Sequence, residues 1–195
     1  MKKRKKPVAL PSLEQIEEER NRIRRGKNYR KALTSTVSVL VVVAALAVLV
    51  ATLLMPVLQI YGSSMTPTLV DGDIVLSIKT SKFEPGDVVA FYYNNKILVK
   101  RVIAVSGDWV DITEDGDVYV NSKKLEEPYL EEKALGSCNI ELPYQVPESR
   151  IFVMGDHRSV SVDSRNTAVG PVAEEQIVGR LEFRVWPLKL FGAID

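Results

Sequence analysis

The sequence contains very few cysteine and histidine residues, on which disulfide-stabilised proteins and many metal-binding proteins depend. Among 195 residues there is one cysteine, Cys138, and one histidine, His157. A single cysteine excludes an internal disulfide and a thiolate-rich zinc site. A single histidine also narrows the possible metal or catalytic-triad chemistry. Wholesale disorder is excluded as well, because 46% of the residues are apolar.

The chain as a whole has almost no net charge, but the segment up to Lys31 is positively charged and the rest of the chain is negatively charged. The formal net charge of +1 does not suit a bulk nucleic-acid binder. Up to Lys31 there are twelve lysine and arginine residues and four glutamates, a net charge of +8, and the remainder carries −7. This asymmetry is typical of a basic tail that faces an anionic surface.

Charged residues are missing entirely between Lys31 and Asp71, and the centre of this stretch, Leu33–Met55, is strongly apolar. A helix over Leu33–Met55 is about 35 Å long, enough to cross about 30 Å of hydrocarbon. Pro56 marks a plausible helix end. A buried core helix and a cleaved signal peptide are the alternatives, but the apolar region of a signal peptide is shorter. We therefore expect a retained membrane anchor.

The basic residues before the anchor predict its orientation. The next positive charge after the span is Lys79, so the positive-inside rule places the N-terminus in the cytoplasm. Residues Ser12–Gln15 are typical of a capping box that opens a short helix ending near Arg25. Lys2–Lys6 are candidates for contact with anionic lipid head groups, and a plain solvated run of charges explains both features equally well. The expected division is a cytoplasmic tail (1–31), an anchor (32–55) and an extracytoplasmic domain (56–195).

Beyond Pro56 the pattern changes to short apolar runs separated by turn residues. Many short strands without a long amphipathic helix predict a mainly β domain of coiled antiparallel sheets with a barrel-like form. The stretch 125–150 is the least regular and is expected to be rich in loops. The predicted strands are Val57–Tyr61, Ile74–Ile78, Val88–Tyr93, Ile97–Val105, Trp109–Thr113, Val118–Val120, Ile151–Met154 and Ile177–Val185.

Three segments of this domain carry candidate chemistry. Tyr61–Thr68 contains serines in a Gly/Ser/Pro context, which also suits a plain connecting loop. In Ile97–Val105, strand periodicity turns Lys100 and Arg101 to opposite faces among apolar neighbours. Burial lowers the pKa of a lysine and makes it a general base, whereas an arginine stays charged and needs a carboxylate. An edge strand with snorkelling charges is the alternative interpretation.

The third segment, Gly155–Arg165, places small hydroxyl residues between two Asp/Arg pairs directly after an apolar strand. This composition suits a loop that forms hydrogen bonds around a buried polar centre. A salt-bridged surface loop remains an alternative.

Together these segments resemble the type I signal peptidases, or leader peptidases, in the compact form found in Gram-positive bacteria. The nucleophile motif Ser-Met-x-Pro-Thr matches Ser64–Thr68, and the lysine motif matches Lys100–Asp108. The last motif matches Gly155–Arg165, and a weaker strand motif matches Asp71–Val75. The motifs follow the order of the family, behind an N-terminal anchor.

The resemblance implies a membrane-bound serine endopeptidase with a Ser/Lys dyad. Ser64 would be the nucleophile and Lys100 its general base, with no metal or organic cofactor. Ser161 would orient the Lys100 amine. The substrates would be secretory preproteins whose signal peptides carry small residues at −1 and −3. The implied location is the bacterial cell membrane.

Supporting roles follow from the same resemblance. Asp163 would pair with Arg165, with Arg101 as a second candidate partner, and Met65 would border the substrate pocket or contact lipid. Gly62 departs from the family, because some members place there a serine that donates to the oxyanion. His157 stands where asparagine is common, and Ala104 and Ser106 replace a usual glycine and proline. None of these departures removes a reacting group.

Rival functions make different demands on the sequence. A Ser-His-Asp hydrolase would have to use His157 with Asp156 or Asp163. A sortase-like transpeptidase would use Cys138 with His157, but in sortases the histidine precedes the cysteine. A membrane-tethered β domain without catalytic activity is the remaining alternative.

Overall fold

A computed structural model of the chain describes residues 12–194. It begins with one continuous helix, α1 (Leu13–Leu54). The predicted capping box is present: the Ser12 N–H donates to Gln15 Oε1 (3.0 Å) and the Gln15 N–H donates to Ser12 Oγ (3.3 Å). The predicted end near Arg25 is wrong, because the helix continues through Gly26 into the apolar stretch. Lys2–Lys6 lie outside the described residues.

The apolar half of α1 has the length and composition of a membrane-spanning helix. Its large apolar side chains, such as Val42 and Leu46, are exposed all along the helix. This exposure does not fit the alternative of a buried core helix. The chain divides into two compact units, one up to Val50 and the other from Ala51 onwards.

The second unit is built from twelve short strands in two antiparallel sheets, which confirms the predicted mainly β fold. The larger sheet has the order β1-β2-β11-β3-β4-β9-β10, with β12 paired to β11, and the smaller has the order β7-β6-β5-β8. The order of the larger sheet is an open path. The strands are β1 (Val57–Gln59), β2 (Ile74–Ile78), β3 (Val88–Tyr93), β4 (Lys96–Ala104), β5 (Trp109–Ile112), β6 (Val118–Val120), β7 (Lys123–Lys124), β8 (Tyr144–Gln145), β9 (Arg150–Met154), β10 (Val172–Ala173), β11 (Ile177–Trp186) and β12 (Gly192–Ala193).

All eight strands expected from the sequence are present, with ends that differ by at most two residues. The turn between β3 and β4 is the tight hairpin that Asn94-Asn95 indicates, since both residues have a positive φ (43° and 63°). The four unpredicted strands, β7, β8, β10 and β12, have two residues each. Two residues are too few to show an alternation of apolar and polar side chains.

Strand β4 lies inside the larger sheet, between β3 and β9, so it is not an edge strand. Its C-terminal half is buried on both faces. Ile103 packs with side chains of the smaller sheet, including Val110, whereas Val102 packs with Phe91 and Val153 of the larger sheet. The charges in the middle of β4 are therefore held inside the protein.

Candidate active site

The first feature of the site is a hydroxyl–amine pair between two elements that are distant in sequence. Ser64 lies in the turn that follows β1, and Lys100 lies on β4. Lys100 Nζ and Ser64 Oγ are 2.7 Å apart. The two residues that the resemblance assigned to the dyad are thus within direct hydrogen-bonding distance.

The Lys100 side chain is almost completely removed from water, with 3% of its surface exposed. Burial lowers the pKa of its amine from 10.5 to about 8, against the opposing attraction of Asp163 and Asp156 and with the help of Arg165. Burial acts in this direction because it disfavours the charged form of an amine. A substantial fraction of the amine is therefore neutral at slightly alkaline pH.

Arg101 makes a different set of contacts. Its Nε and Nη2 donate to the two oxygens of Asp156 at 3.0 and 2.8 Å, and its Nη1 donates to the Gly86 carbonyl at 2.8 Å. The ring of Tyr129 stacks on the guanidinium, 4.0 Å from Cζ. The sequence named Asp163 as a candidate carboxylate for Arg101, and the structure forms this ion pair with Asp156.

A second buried pair, Asp163–Arg165, organises the loop 155–165 as the resemblance implied. Arg165 Nε and Nη2 donate to the two oxygens of Asp163, each at 2.8 Å. Burial alone would raise the pKa of Asp163, but hydrogen bonds and charge from Arg165 and the N–H of Gly155 hold it below its usual value. Asp163 therefore stays ionised and fixes both ends of the loop.

A third buried ion pair joins this loop to the irregular stretch after β7. Arg158 forms a two-point ion pair with Glu127, and both side chains are fully buried. Tyr129 donates its hydroxyl proton to the same Glu127 at 3.0 Å. Arg165 also donates to the carbonyl of Leu135 at 2.7 Å. The stretch after β7 is thus attached to the loop by the Arg158–Glu127 ion pair and by the hydrogen bond from Arg165 to the Leu135 carbonyl.

Ser161 is buried next to the nucleophile turn. Its Oγ has no hydrogen-bond partner among the described residues, although its proximity adds a minor contribution to the lowered pKa of Asp163. Gly155 separates Ser161 from Ser64, and a Cβ at this position would collide with Ser161 Oγ and with the Ser64 carbonyl oxygen. Only glycine fits there. The orienting role of Ser161 stays a prediction.

A groove of about 420 Å³ opens beside the Ser64–Lys100 pair. Its lining includes residues 58–62, Met65 and the first half of β4, residues 96–100. Among the described residues, the outer edge of β1 has no strand partner, and β9 pairs with β4 only from Arg101 onwards. Two unpaired strand edges therefore border the groove.

The residues of the rival mechanisms make no hydrogen bond to the Ser64 hydroxyl among the described residues. His157 Nδ1 is near Thr66 Oγ1 (3.0 Å) and the Ser63 carbonyl (3.2 Å), and the partner of Ser64 Oγ is Lys100. Cys138 is a free, half-buried thiol. In the range 12–194 no three His, Cys, Asp or Glu side chains are grouped so that they could hold a metal. This geometry favours neither a Ser-His-Asp hydrolase nor a Cys-His enzyme.

Some contacts around the site were not predicted from the sequence. Glu127 and Tyr129 belong to the stretch that shows no periodicity, and Thr68 contacts Asp156 (2.5 Å) from the far end of the nucleophile motif. Asp71 accepts the Gly62 N–H at 2.7 Å. Loop 155–165 holds two arginines and two aspartates, and only the folded chain shows that Arg101 pairs with Asp156 while Arg158 pairs with Glu127.

Comparisons with known proteins identify the family of the chain. The sequence profile described as "Signal peptidase, peptidase S26" matches residues 33–186. The chain belongs to this family. Signal peptidase IB of Staphylococcus aureus (strain Mu50) is 42% identical over 152 residues, covering 68% of this chain and 78% of that protein. Signal peptidase I of Bacillus licheniformis is 34% identical over 184 residues, covering 88% and 98%.

A solved structure of a signal peptidase I from Enterococcus faecalis V583 is 28% identical to this chain. The likeness covers 51% of this chain and 97% of that structure, with a TM-score of 0.42. Membership of the S26 family, together with the sequence relatives, makes this protein a serine endopeptidase that cleaves signal peptides from preproteins. The long apolar helix is consistent with a membrane anchor.

Proposed function

We propose that the protein removes signal peptides at the membrane by a Ser/Lys mechanism in which Ser64 is the nucleophile and Lys100 is the general base. The observation that carries the proposal is the 2.7 Å distance between Ser64 Oγ and a buried amine whose pKa is lowered to about 8. A base must lie within hydrogen-bond reach of the proton that it removes and have a pKa near the working pH. Lys100 meets both conditions.

The reaction follows from this pair. As Ser64 Oγ attacks the carbonyl carbon of the scissile bond, neutral Lys100 Nζ takes the hydroxyl proton and a tetrahedral oxyanion forms. The ammonium then gives that proton to the nitrogen of the leaving chain, and the C–N bond breaks to leave an acyl ester on Ser64. Neutral Lys100 next takes a proton from water, whose oxygen attacks the ester carbon. The bond between that carbon and Ser64 Oγ then breaks, the ammonium returns the proton to Ser64 Oγ, and the signal peptide leaves with a new carboxyl terminus.

The oxyanion needs hydrogen-bond donors that are already in place. The Ser64 N–H has no acceptor among the described residues, which makes it available to the oxyanion. The Gly62 N–H is occupied by Asp71, and Gly62 carries no hydroxyl. Within this turn, the Ser64 N–H is therefore the donor that the proposal assigns to the oxyanion.

The groove suits a substrate in an extended conformation. A peptide between the free edges of β1 and β4 would form backbone hydrogen bonds that tolerate many sequences. Side chains at −1 and −3 of such a strand point to the same face, since successive side chains alternate. The proposal therefore assigns selection of small residues at −1 and −3 to apolar lining residues such as Met65 and Leu98.

The proposal also places the protein in a bacterial membrane as a single-pass protein. The tail (1–31) would be cytoplasmic, the segment 32–55 would span the bilayer, and the peptidase domain (56–195) would be extracytoplasmic. The basic residues before the span and the uncharged stretch up to Asp71 support this orientation. The polar half of α1 would lie close to anionic lipid head groups.

The direct test of the catalytic assignment is processing of a preprotein in membranes by the wild type and by Ser64→Ala. We expect the variant to lose cleavage, because alanine has no nucleophilic oxygen. Ser63→Ala is the matched control, since it removes a neighbouring hydroxyl from the same turn and should retain activity. Full cleavage by a folded Ser64→Ala would refute the assignment.

The anchor is tested by deleting residues 1–55. The shortened protein should still cut short soluble peptides, because every proposed reacting group lies after Pro56. Its rate on membrane-inserted preproteins should fall, since anchoring confines enzyme and cleavage site to one surface. Equal rates on membrane-inserted preprotein with and without residues 1–55 would contradict the proposed role.

A further inference from the structure

The peptide group that precedes the nucleophile is held by an unusual number of donors. The Ser63 carbonyl oxygen accepts hydrogen bonds from the Thr66 N–H (3.2 Å) and the Thr66 hydroxyl (2.8 Å). His157 Nδ1 lies 3.2 Å from the same oxygen and 3.0 Å from Thr66 Oγ1. The next carbonyl, of Ser64, accepts the backbone N–H of His157 at 3.1 Å. His157 therefore contacts the peptide groups on both sides of the Ser64 Cα.

These distances indicate which nitrogen of the His157 ring carries the proton. A carbonyl oxygen only accepts hydrogen bonds, so an unprotonated Nδ1 would point its lone pair at the lone pairs of the Ser63 oxygen. A protonated Nδ1 donates towards Ser63 O and Thr66 Oγ1, and the Thr66 hydroxyl still donates to Ser63 O. We therefore assign the proton to Nδ1, from this network of acceptors.

The consequence for catalysis lies in the geometry of one peptide unit. The Ser63 carbonyl and the Ser64 N–H belong to the same planar group, so fixing the oxygen also fixes the direction of the N–H. Hydrogen bonds accepted by the oxygen polarise the group and make its N–H a better donor. We propose that His157, acting with Thr66, is a positioning residue that orients the Ser64 N–H towards the oxyanion. This inference rests on the proposed function, in which that N–H is the oxyanion donor.

The role does not depend on the charge of the ring. Nδ1 carries a proton in the neutral form assigned above and also in the cation. The acidic groups that line the small cavity of about 50 Å³ beside the ring are Glu131, Glu132 and Asp156. In either form of the ring, Nδ1 keeps the same bond. The acid limb of the pH–activity profile should therefore be unchanged in His157→Asn.

Two substitutions of nearly equal chemistry separate this role from a merely structural one. His157→Asn places an amide nitrogen where Nδ1 stands, whereas His157→Gln places it one bond further out. Both should be assayed as the full chain in detergent with a fluorogenic signal-peptide substrate. We expect His157→Asn to keep kcat within about fivefold and His157→Gln to lose about 10- to 100-fold in kcat, less than removal of an oxyanion donor. KM should change by less than about twofold, since the lost interaction acts in the transition state.

A second pair keeps the test decisive if His157→Gln fails to fold. Thr66→Ser keeps the hydroxyl that links the ring to Ser63, and Thr66→Val removes it at similar volume. We expect the same loss of kcat in Thr66→Val but not in Thr66→Ser.

Several results would overturn the inference. One is that His157→Asn and His157→Gln have equal kcat values. Another is that Thr66→Ser and Thr66→Val, both folded, have equal kcat values. A third is that these substitutions change KM and leave kcat unaltered. A shift of the acid limb of the pH profile in His157→Asn would also overturn it. Activity in Ser64→Ala would instead refute the proposed function, so the two failures are distinguishable.

Discussion

Lys100 and Arg101 are neighbours on β4 and equally buried, with 3% and 1% of their surfaces exposed, but their partners differ. Arg101 has a two-point ion pair with Asp156, a carbonyl and an aromatic ring. Lys100 Nζ has one hydrogen-bond partner among the described residues, the neutral hydroxyl of Ser64. Burial alone therefore does not distinguish the two cations.

The comparison teaches that the partners of a buried cation decide its role. A guanidinium stays protonated in proteins, so burying Arg101 requires a carboxylate and yields a fixed structural charge. An amine without a paired carboxylate can release its proton instead. One strand thus holds a permanent charge on one face and, on the other, the amine that we propose as the proton acceptor.

The largest expected effect comes from removing the proton acceptor. Lys100→Met should lower kcat/KM by about 10³-fold, because methionine has a similar unbranched shape but accepts no proton. Lys100→Arg should be as inactive, since guanidinium stays protonated. Initial rates on one peptide substrate, with circular dichroism to verify folding, measure the effect. A folded Lys100→Met with near wild-type activity would show that another group is the base.

For stability we expect the opposite order, with a large loss when Arg101 is replaced and little or none when Lys100 is replaced. Arg101→Met should lower the free energy of unfolding by about 3–5 kcal/mol, because it leaves the buried carboxylate of Asp156 without its cation. Lys100→Met should be neutral or stabilising in the same assay. Denaturant unfolding in detergent, followed by the fluorescence of Trp109 and Trp186, provides the comparison. Similar losses of stability in both variants would remove the distinction between the two cations.

Stability should also depend on pH through Lys100. Between pH 8 and 10.5 the unfolded chain keeps a lysine proton that the folded protein has released, so the free energy of unfolding should rise with pH. With a folded pKa of about 8, the expected gain between pH 7.5 and 9.5 is about 2 kcal/mol. Subtracting the same curve for Lys100→Met isolates this contribution. A difference that is flat with pH would mean that the folded protein does not depress the lysine pKa.

The smallest expected change in stability comes from replacing Tyr129, whose ring stacks on the Arg101 guanidinium. Tyr129→Leu should cost about 1 kcal/mol of stability, since it removes the cation–π contact. Tyr129→Phe keeps the ring and loses only the hydroxyl bond to Glu127, so it separates the two contributions. Thermal unfolding of both variants, at a pH well below the titration of Lys100, is sufficient. Equal stability of Tyr129→Leu and Tyr129→Phe would show that the ring contributes nothing.

Sequence reasoning succeeded where the signal is local. The alternation in β4 predicted that Lys100 and Arg101 point apart, but it left open whether Lys100 is buried, which the structure shows. The turn residues Asn94-Asn95 indicated a turn between two predicted strands, and the structure forms a tight hairpin there. Placing Ser64 beside Lys100 required the family resemblance, because no periodicity links two segments 36 residues apart.

What the sequence missed depends on long-range or weak signals. Glu127 reaches Arg158 across 31 residues, from a stretch without periodicity, so only the folded chain reveals the pair. The helix end expected near Arg25 is also wrong, because the helix continues through Gly26 into the apolar stretch. A single glycine costs a helix only about 1 kcal/mol, and a helix of 42 residues tolerates it.

The central claim, that the folded protein turns Lys100 into a base, is tested most directly by titrating that amine. The ¹³Cε chemical shift of Lys100, identified by its loss in Lys100→Met, can be followed with pH in the full chain in detergent micelles. The account predicts a midpoint near pH 8, coincident with the rise in kcat/KM of the free enzyme. A midpoint near 10.5, the ordinary value of a lysine, would contradict it.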